Sequence, residues 1–349
     1  MTKLSIAGRE ISACVPPYII AEMSANHNGD ISRAKQLIQL AKQAGADAVK
    51  LQTYRADTIT LNARTEDFMI RGGLWDGKNL YELYQQAQMP WEWHKPLFDF
   101  ARSIDMTIFS SPFDPTAVDL LEDLNAPAYK VASFEAIDIP LIKYIASTGK
   151  PMIISTGMAD ADEIQEAIDA AKSGGCEQLA ILHCVSGYPA PAADYNLRTI
   201  ADMQRRFKLV TGLSDHTIDN TTAITSVALG AAIIEKHFTL DRNGGGTDDS
   251  FSLEPAELTA LCRDSKLAWQ ALGKADYSRQ QSEIANAKFR RSLYFVSDMA
   301  AGQVISASDI RSVRPGFGLA PKYYDQLLGR VIKKAVKQYT PTSWEYIED

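Results

Sequence analysis

The sequence predicts an α/β chain in which a (β/α)8 TIM barrel is followed by a small, mostly β second domain. Three observations carry that expectation. Eight short runs of apolar or β-branched residues occur before residue 240, each separated from the next by a longer stretch of helical pattern. Strands buried on both faces of a parallel sheet read in this way. No glycine fingerprint follows the first run, which argues against the nearest alternative, an open doubly wound sheet. The length of 349 residues accommodates one barrel of roughly 250 residues and a further small unit.

The first strand is read over residues 18–22 (YIIAE) and the second over 48–52 (AVKLQ). Between them Asp30 caps the amphipathic ISRAKQLIQLAKQAG, and Gly45 stands at its end, where a left-handed backbone closes helices. A long insertion, residues 54–89, follows the second strand, and NLYELYQQAQ within it reads as a short helix. Long ordered loops in compact domains are usually functional, and this one is expected over the barrel's C-terminal face. The next strands are residues 107–110 (TIFS), 128–132 (AYKVA) and 152–155 (MIIS). Pro90, Pro115, Pro140 and Pro255 stand near helix starts, where the missing N–H costs little. Asp160, with Glu163 three residues on, forms a capping box. Residues 179–183 (LAILH), 208–213 (KLVTGL) and 233–237 (IIEKH) complete the eight. The pattern then changes, giving a barrel over 1–272, a polar linker over 273–287 and a β-rich domain over 288–349. In that last domain SLYFV and VIKKAV read as strands and SVRPGFGLAP as a loop.

Composition narrows the function classes. A hydrophobic share of 46% is ordinary for a globular chain. The net charge of -7 excludes sequence-independent binding to nucleic acid, which needs a basic surface, while leaving room for a local basic pocket. Cys14, Cys176, Cys184 and Cys262 show no CxxC spacing, so neither a zinc site nor a disulfide framework is expected. The N-terminus lacks the pattern of a secretory leader. No run of about 18 apolar residues occurs, so no membrane partner is expected. The expected location is the cytoplasm.

In a barrel the C-terminal ends of the strands converge on one site. Here those ends carry Glu22, Lys50 and Gln52, Ser110 and Ser111, Lys130 and Ser133, Ser155, His183 and Ser186, Ser214 and His216, and His237. A purely structural role would favour apolar residues at these positions. Lys50 and Lys130, with Ser111, Ser133, Ser155 and Ser214, can hold a phosphate and a carboxylate, because ammonium charges and short hydroxyl donors suit tetrahedral oxygens. The bland alternative makes each serine a strand-end cap and each lysine a snorkelling surface group. His216 and His237, on neighbouring strands, suit one divalent ion with open positions for water and substrate. Two satisfied histidines, or an acid–base pair, are the alternatives. His27 shapes a turn, His94 reads as a surface or packing residue, and His183 as a strand cap. Asp248 lies in the glycine-rich DRNGGGTDDSFSLEP, which lacks the GK[ST] of a phosphate loop. Sugar hydroxyls or an ordinary turn both suit it.

IIAEMSANHNGD, AGADAVKLQTY, SSPFD, AYKVASFE, IISTGM, GLSDHT and EKHFTLDR resemble, in order and spacing, the sialic-acid synthase family. SVRPGFGLAP resembles that family's C-terminal antifreeze-like (SAF) domain. The likeness spans nearly the whole chain. Residues 66–94 (EDFMIRGGLWDGKNLYELYQQAQMPWEWH), RRSLYFV and SVRPGFGLAPKYY resemble the subgroup that makes pseudaminic acid more than the neuraminate synthases.

The resemblance implies a metal-dependent enzyme with phosphoenolpyruvate and an amino-sugar aldehyde as substrates. His216 and His237 would bind a divalent metal, Mn2+ in the first place, with Mg2+ and Co2+ as alternatives. Lys50, Ser111, Lys130, Ser133, Ser155, Ser186 and Ser214 match the family's phosphoenolpyruvate positions. Glu22, Gln52, Tyr188 and Asp248 match positions beside the sugar and the reacting carbons. Arg314 matches an arginine that one subunit inserts into its partner's barrel, implying a domain-swapped homodimer. Two positions depart from the neuraminate synthases: Ser111 replaces a common threonine, and Ser186 replaces an asparagine, whose longer side chain reaches further. The implied product is pseudaminic acid, formed from 2,4-diacetamido-2,4,6-trideoxy-L-altrose with C–O cleavage. N-acetylneuraminate or legionaminate synthesis is the near alternative. A Schiff-base aldolase using Lys130, or a non-catalytic binding protein, is the distant one.

Overall fold

The computed structural model describes residues 3–348. The chain separates into two compact units between Gly273 and Lys274. In the first, an antiparallel hairpin, β1 (Leu4–Ile6) and β2 (Arg9–Ile11), precedes eight parallel strands. These are β3 (Tyr18–Glu22), β4 (Ala48–Thr53), β5 (Thr107–Pro112), β6 (Tyr129–Val131), β7 (Met152–Ser155), β8 (Leu179–Cys184), β9 (Val210–Asp215) and β10 (Ile233–His237). β10 pairs with both β9 and β3, so the sheet closes. The fold is the (β/α)8 barrel that the alternating runs predicted.

The two-residue period of a strand explains why this barrel is apolar below and polar above. Ile20, Ala48, Phe109, Ala128, Ile153 and Ile233 pack inside it, with Leu4, Ile6 and Ile11 of the hairpin plugging the N-terminal end. The opposite strand faces, among them Ile19, Val49, Leu51, Ile154, Ile181 and Ile234, join the buried sides of the helices. Two residues further along the same inward faces stand Glu22, Lys50, Ser111, Lys130, Ser155 and Glu235, all buried. One inward position must be glycine. A Cβ on Gly212 would lie 2.4 Å from the Ile233 carbonyl oxygen and 2.7 Å from Leu182 Cδ2.

Helix ends obey the local signals. Asp30 accepts from the Ser32 amide at the start of Ile31–Ala44, and Gly45 ends that helix at φ 89°. Asp160 and Glu163 form the reciprocal capping box of Ala161–Ser173. Pro115 and Pro255 open their helices. Among the described residues no helix is long and apolar enough to cross a membrane.

Several boundaries differ from the sequence reading. The seventh barrel strand begins at Val210, because Lys208 caps the preceding helix (Arg198–Phe207) in a left-handed conformation at φ 57°. The β5 strand runs on to Pro112. The N-terminal hairpin was not foreseen, since each of its strands has only three residues. Residues 273–287, read as a linker, include a short helix, Gln281–Ile284.

In the second unit β11 (Ser292–Phe295) pairs antiparallel with β12 (Ile310–Val313). VIKKAV is not a strand. Val331, Ile332 and Val336 make single bridges to Val304, Ile347 and Met299, and the alternation that faces Ile332 and Val336 inward comes from a compact coil. Leu293, Phe295, Met299, Ile305, Ile310 and Leu327 complete a small separate core with them.

Candidate active site

The polar layer at the C-terminal end of the barrel is built around two buried lysines. Lys50 Nζ lies 2.8 Å from Glu22 Oε2, 3.2 Å from Ser111 Oγ and 3.5 Å from Glu235 Oε1. Lys130 Nζ donates to Ser155 Oγ at 2.7 Å and to the Val131 carbonyl at 3.1 Å, and stands 3.8 Å from Glu235 Oε1. Gln52 Nε2 donates to Glu22 Oε1 at 3.0 Å, and Ser214 Oγ donates to Glu235 Oε1 at 3.4 Å. Glu235 thus bridges both cations. The sequence reading passed over it, although it shares the inward face of β10 with His237 and could have been found by stepping back two residues.

Burial and charge act in opposite directions on these groups. Burial pushes the Glu22 carboxyl up; Lys50 opposes this and Glu235 reinforces it, leaving the group at about 7. Burial also works against the Glu235 anion, but Lys130 and Lys50 outweigh it and hold that carboxyl below its ordinary value. Burial disfavours the Lys50 cation too, yet Glu22 and Glu235 together raise its pKa. At Lys130 burial prevails over the more distant Glu235, and the pKa falls. Two lysines therefore face one firmly ionised carboxylate and one that titrates near neutrality, an arrangement that favours an incoming anion.

Hydroxyl groups extend this pocket. Gly157 N–H donates to Ser133 Oγ at 3.2 Å. A Cβ at Gly157 would fall 2.3 Å from Ser186 Oγ and 2.8 Å from Ser133 Oγ, so the glycine gives both hydroxyls their room. Ser186 Oγ is buried without a hydrogen-bond partner among the described residues. In this setting the short side chain points into a cradle shared with Ser133. Glu135, on the turn after β6, has a buried oxygen in the same condition, and burial lifts its carboxyl to about 7.

Beside the lysines stand His216 and His237, with ring centroids 5.4 Å apart. The loop after β8 encloses His216. Its Nδ1 lies 2.8 Å from the Val185 carbonyl, its amide donates to the Tyr195 hydroxyl at 2.6 Å, and its carbonyl accepts from Ala190 N–H at 3.1 Å. A carbonyl can only accept, so Nδ1 carries the proton there and Nε2 is the available donor atom. His237 is held neutral: burial lowers its pKa well below the ordinary value, and the Lys50 ammonium lowers it further. Its Nδ1 is buried and unpartnered among the described residues. Burial works against the His216 cation, but Cys184, the Val185 carbonyl and Glu235 together raise its pKa; in their neutral forms the two imidazoles suit a divalent ion. Among the described residues no group of three or more His, Cys, Asp and Glu gathers as a metal site.

Tyr188 covers the histidines, with its ring 4.4 Å from His216 and 6.2 Å from His237. Asp248 is buried and accepts a hydrogen bond from the Ser24 hydroxyl. The remaining histidines hydrogen-bond to their surroundings. His27 Nδ1 accepts from Gly29 N–H at 3.1 Å, and His183 Nε2 bonds the Tyr195 carbonyl. His94, read as surface or packing, is fully buried against Thr53 Oγ1 at 2.8 Å, and burial lowers it to about 4. Arg314 lies in the second unit, exposed on the loop after β12.

The description of the NeuB family matches residues 37–277, and that of the SAF domain matches residues 290–347. The chain is 42% identical over 334 residues to a pseudaminic acid synthase of Helicobacter pylori, covering 95% of this chain and 98% of that one. It is 36% identical to an N,N'-diacetyllegionaminic acid synthase of Campylobacter jejuni, over 92% of this chain and 97% of the relative. The crystal structure of the spore coat polysaccharide biosynthesis protein spsE of Bacillus subtilis is similar along 100% of this chain and 99% of its own, with 32% identity and a TM-score of 0.68.

Proposed function

Because the chain belongs to the NeuB family, the sialic-acid synthases, and ends in a SAF domain, we propose that it makes pseudaminic acid. It condenses phosphoenolpyruvate with 2,4-diacetamido-2,4,6-trideoxy-L-altrose and releases phosphate by C–O cleavage. The observation that carries the reading is the paired buried cations, Lys50 and Lys130, ringed by serine hydroxyls beside two available imidazoles. The choice of sugar rests on the 42% identity to the Helicobacter pylori enzyme.

Lys50 and Lys130 neutralise the phosphate and carboxylate of phosphoenolpyruvate, while Ser111, Ser133, Ser155, Ser186 and Ser214 donate to its oxygens. His216 and His237 hold a divalent ion, Mn2+ before Mg2+ or Co2+, which when bound supplies Lewis-acid polarisation of the sugar aldehyde. C3 of phosphoenolpyruvate forms the new bond to the aldehyde carbon, whose oxygen takes a proton. Water adds at C2 and loses a proton, and the C2–O bond to phosphate then breaks. Glu22, titrating at about 7, holds or passes a proton in this sequence. Gln52 orients Glu22 through its 3.0 Å hydrogen bond, and Tyr188 and Asp248 stand on the sugar's side. The assembly is a cytoplasmic, domain-swapped homodimer in which the exposed Arg314 of one subunit serves the other's barrel.

A second reading, a Schiff-base aldolase, has one observation in its favour: the lowered pKa of Lys130. Against it, that amine is already committed to Ser155 Oγ and the Val131 carbonyl. Phosphate release from phosphoenolpyruvate, measured with the L-altrose derivative, N-acetylmannosamine and a bacillosamine-derived sugar, each with Mn2+ and with EDTA, tests both. Mn2+-dependent release with the L-altrose derivative alone is expected. Release with another sugar moves the product to neuraminic or legionaminic acid. Turnover in EDTA, with borohydride trapping, overturns the metal reading in favour of the aldolase.

A further inference from the structure

The insertion between β4 and β5 carries a tight loop over residues 70–78. It is closed by hydrogen bonds between Ile70 N–H and the Lys78 carbonyl and between Gly77 N–H and the Ile70 carbonyl, each 2.9 Å. Gly72, Gly73 and Gly77 take left-handed backbone angles, at φ 79°, 72° and 78°, and this winds the loop into a small radius. At its tip Leu74 is 49% exposed, whereas Trp75 is half-buried. The indole N–H donates to the Thr247 carbonyl at 3.4 Å, and the ring lies 5.9 Å from that of Tyr188, tilted by 49°. Those two contacts are telling. Tyr188 covers the histidine pair, and Thr247 directly precedes Asp248. Trp75 is therefore joined to the two loops that carry the sugar-side residues, while Lys130 and Ser133 of the phosphate cradle stand on β6 and the turn after it.

From this placement we infer that Trp75 is a specificity-determining residue, an aromatic wall that selects an amino sugar ending in a methyl group over one ending in a hydroxymethyl group. The inference rests on the substrate reading above and deepens it. The chemistry follows from the side chain. The polar atom of the indole is engaged by the Thr247 carbonyl, so what remains for a ligand is a large apolar face next to the Tyr188 ring and Phe251, whose ring centroid is 5.3 Å from that of Tyr188. A methyl group loses nothing on such a wall. A hydroxyl there gives up its water without gaining an acceptor.

The test uses the full-length enzyme with Mn2+, phosphoenolpyruvate, 2,4-diacetamido-2,4,6-trideoxy-L-altrose and its 6-hydroxy analogue, in the wild type, Trp75→Ala and Trp75→Phe. An apolar pocket rejects a ligand that carries one added hydroxyl by about 100-fold at most. Trp75→Ala is expected to raise KM for the trideoxy sugar and to erase most of that preference, with KM for phosphoenolpyruvate and Mn2+ content unchanged. Trp75→Phe is expected to keep most of the preference. An alanine variant that still prefers the trideoxy sugar by the wild-type ratio overturns this inference alone. So does one that loses phosphoenolpyruvate affinity and metal together with its preference unaltered, since the loop would then be a structural support. A wild type that rejects the trideoxy sugar overturns the substrate reading, and this inference with it.

Discussion

Replacing Glu22 with glutamine isolates the central electrostatic feature of the site. Glu22 is 1% exposed, and burial with the neighbouring Glu235 lifts its carboxyl from 4.5 to about 7 against the pull of Lys50. Its native pKa lies above its unfolded value, so the native state holds the proton more tightly. Below pH 4.5 both states are protonated and the group adds no pH dependence. Between 4.5 and 7 the unfolded chain ionises first, and the barrel loses about 1.4 kcal/mol of stability per pH unit. By pH 8 the wild type has lost about 3 kcal/mol relative to Glu22→Gln, which has no such titration. Urea denaturation of both proteins, followed by barrel tryptophan fluorescence at pH 5 and pH 8, reads this difference. A gap between the two proteins that is the same at both pH values refutes the reasoning. The cause can be checked in the same way. Glu235→Gln removes the like charge beside Glu22 and leaves Lys50 with one carboxylate, so the pH-dependent gap should shrink.

Three further outcomes follow from the geometry. Gly157→Ala, whose methyl would lie 2.3 Å from Ser186 Oγ, should raise KM for phosphoenolpyruvate by about tenfold or more through displaced hydroxyl donors. Mn2+ content by equilibrium dialysis should stay as in the wild type, and an unchanged KM would remove the cradle from the site. His237→Ala should lower both Mn2+ affinity and phosphate release by at least about 100-fold, while full activity in the variant would exclude the two-histidine centre. Gly212→Ala places a methyl 2.4 Å from the Ile233 carbonyl oxygen in the barrel interior. It should cost about 1–3 kcal/mol in urea denaturation, and a neutral result would mean that β9 can shift without penalty.

The sequence by itself determined the barrel, because eight buried strands leave a repeated mark: short apolar runs with polar residues at their C-terminal ends, separated by capped helices. It also named Glu22, Lys50, Lys130, His216 and His237, since strand ends converge in such a fold. It did not reveal Glu235. That residue lies within an apolar run, and its importance comes from two lysines on other strands, one of them on the far side of the barrel from β10 in strand order. Nor could it reveal that Glu22 titrates at about 7, because ionisation depends on burial and on distances between strands remote in the chain. The proton on His216 Nδ1 depends on a carbonyl 31 positions away, and the turn of Trp75 toward Tyr188 depends on a loop wound by three glycines. Local pattern reports what each strand contributes to the interior. Only the closed sheet decides which contributions meet, and therefore which charges are paired and which hydroxyls are left open to a ligand.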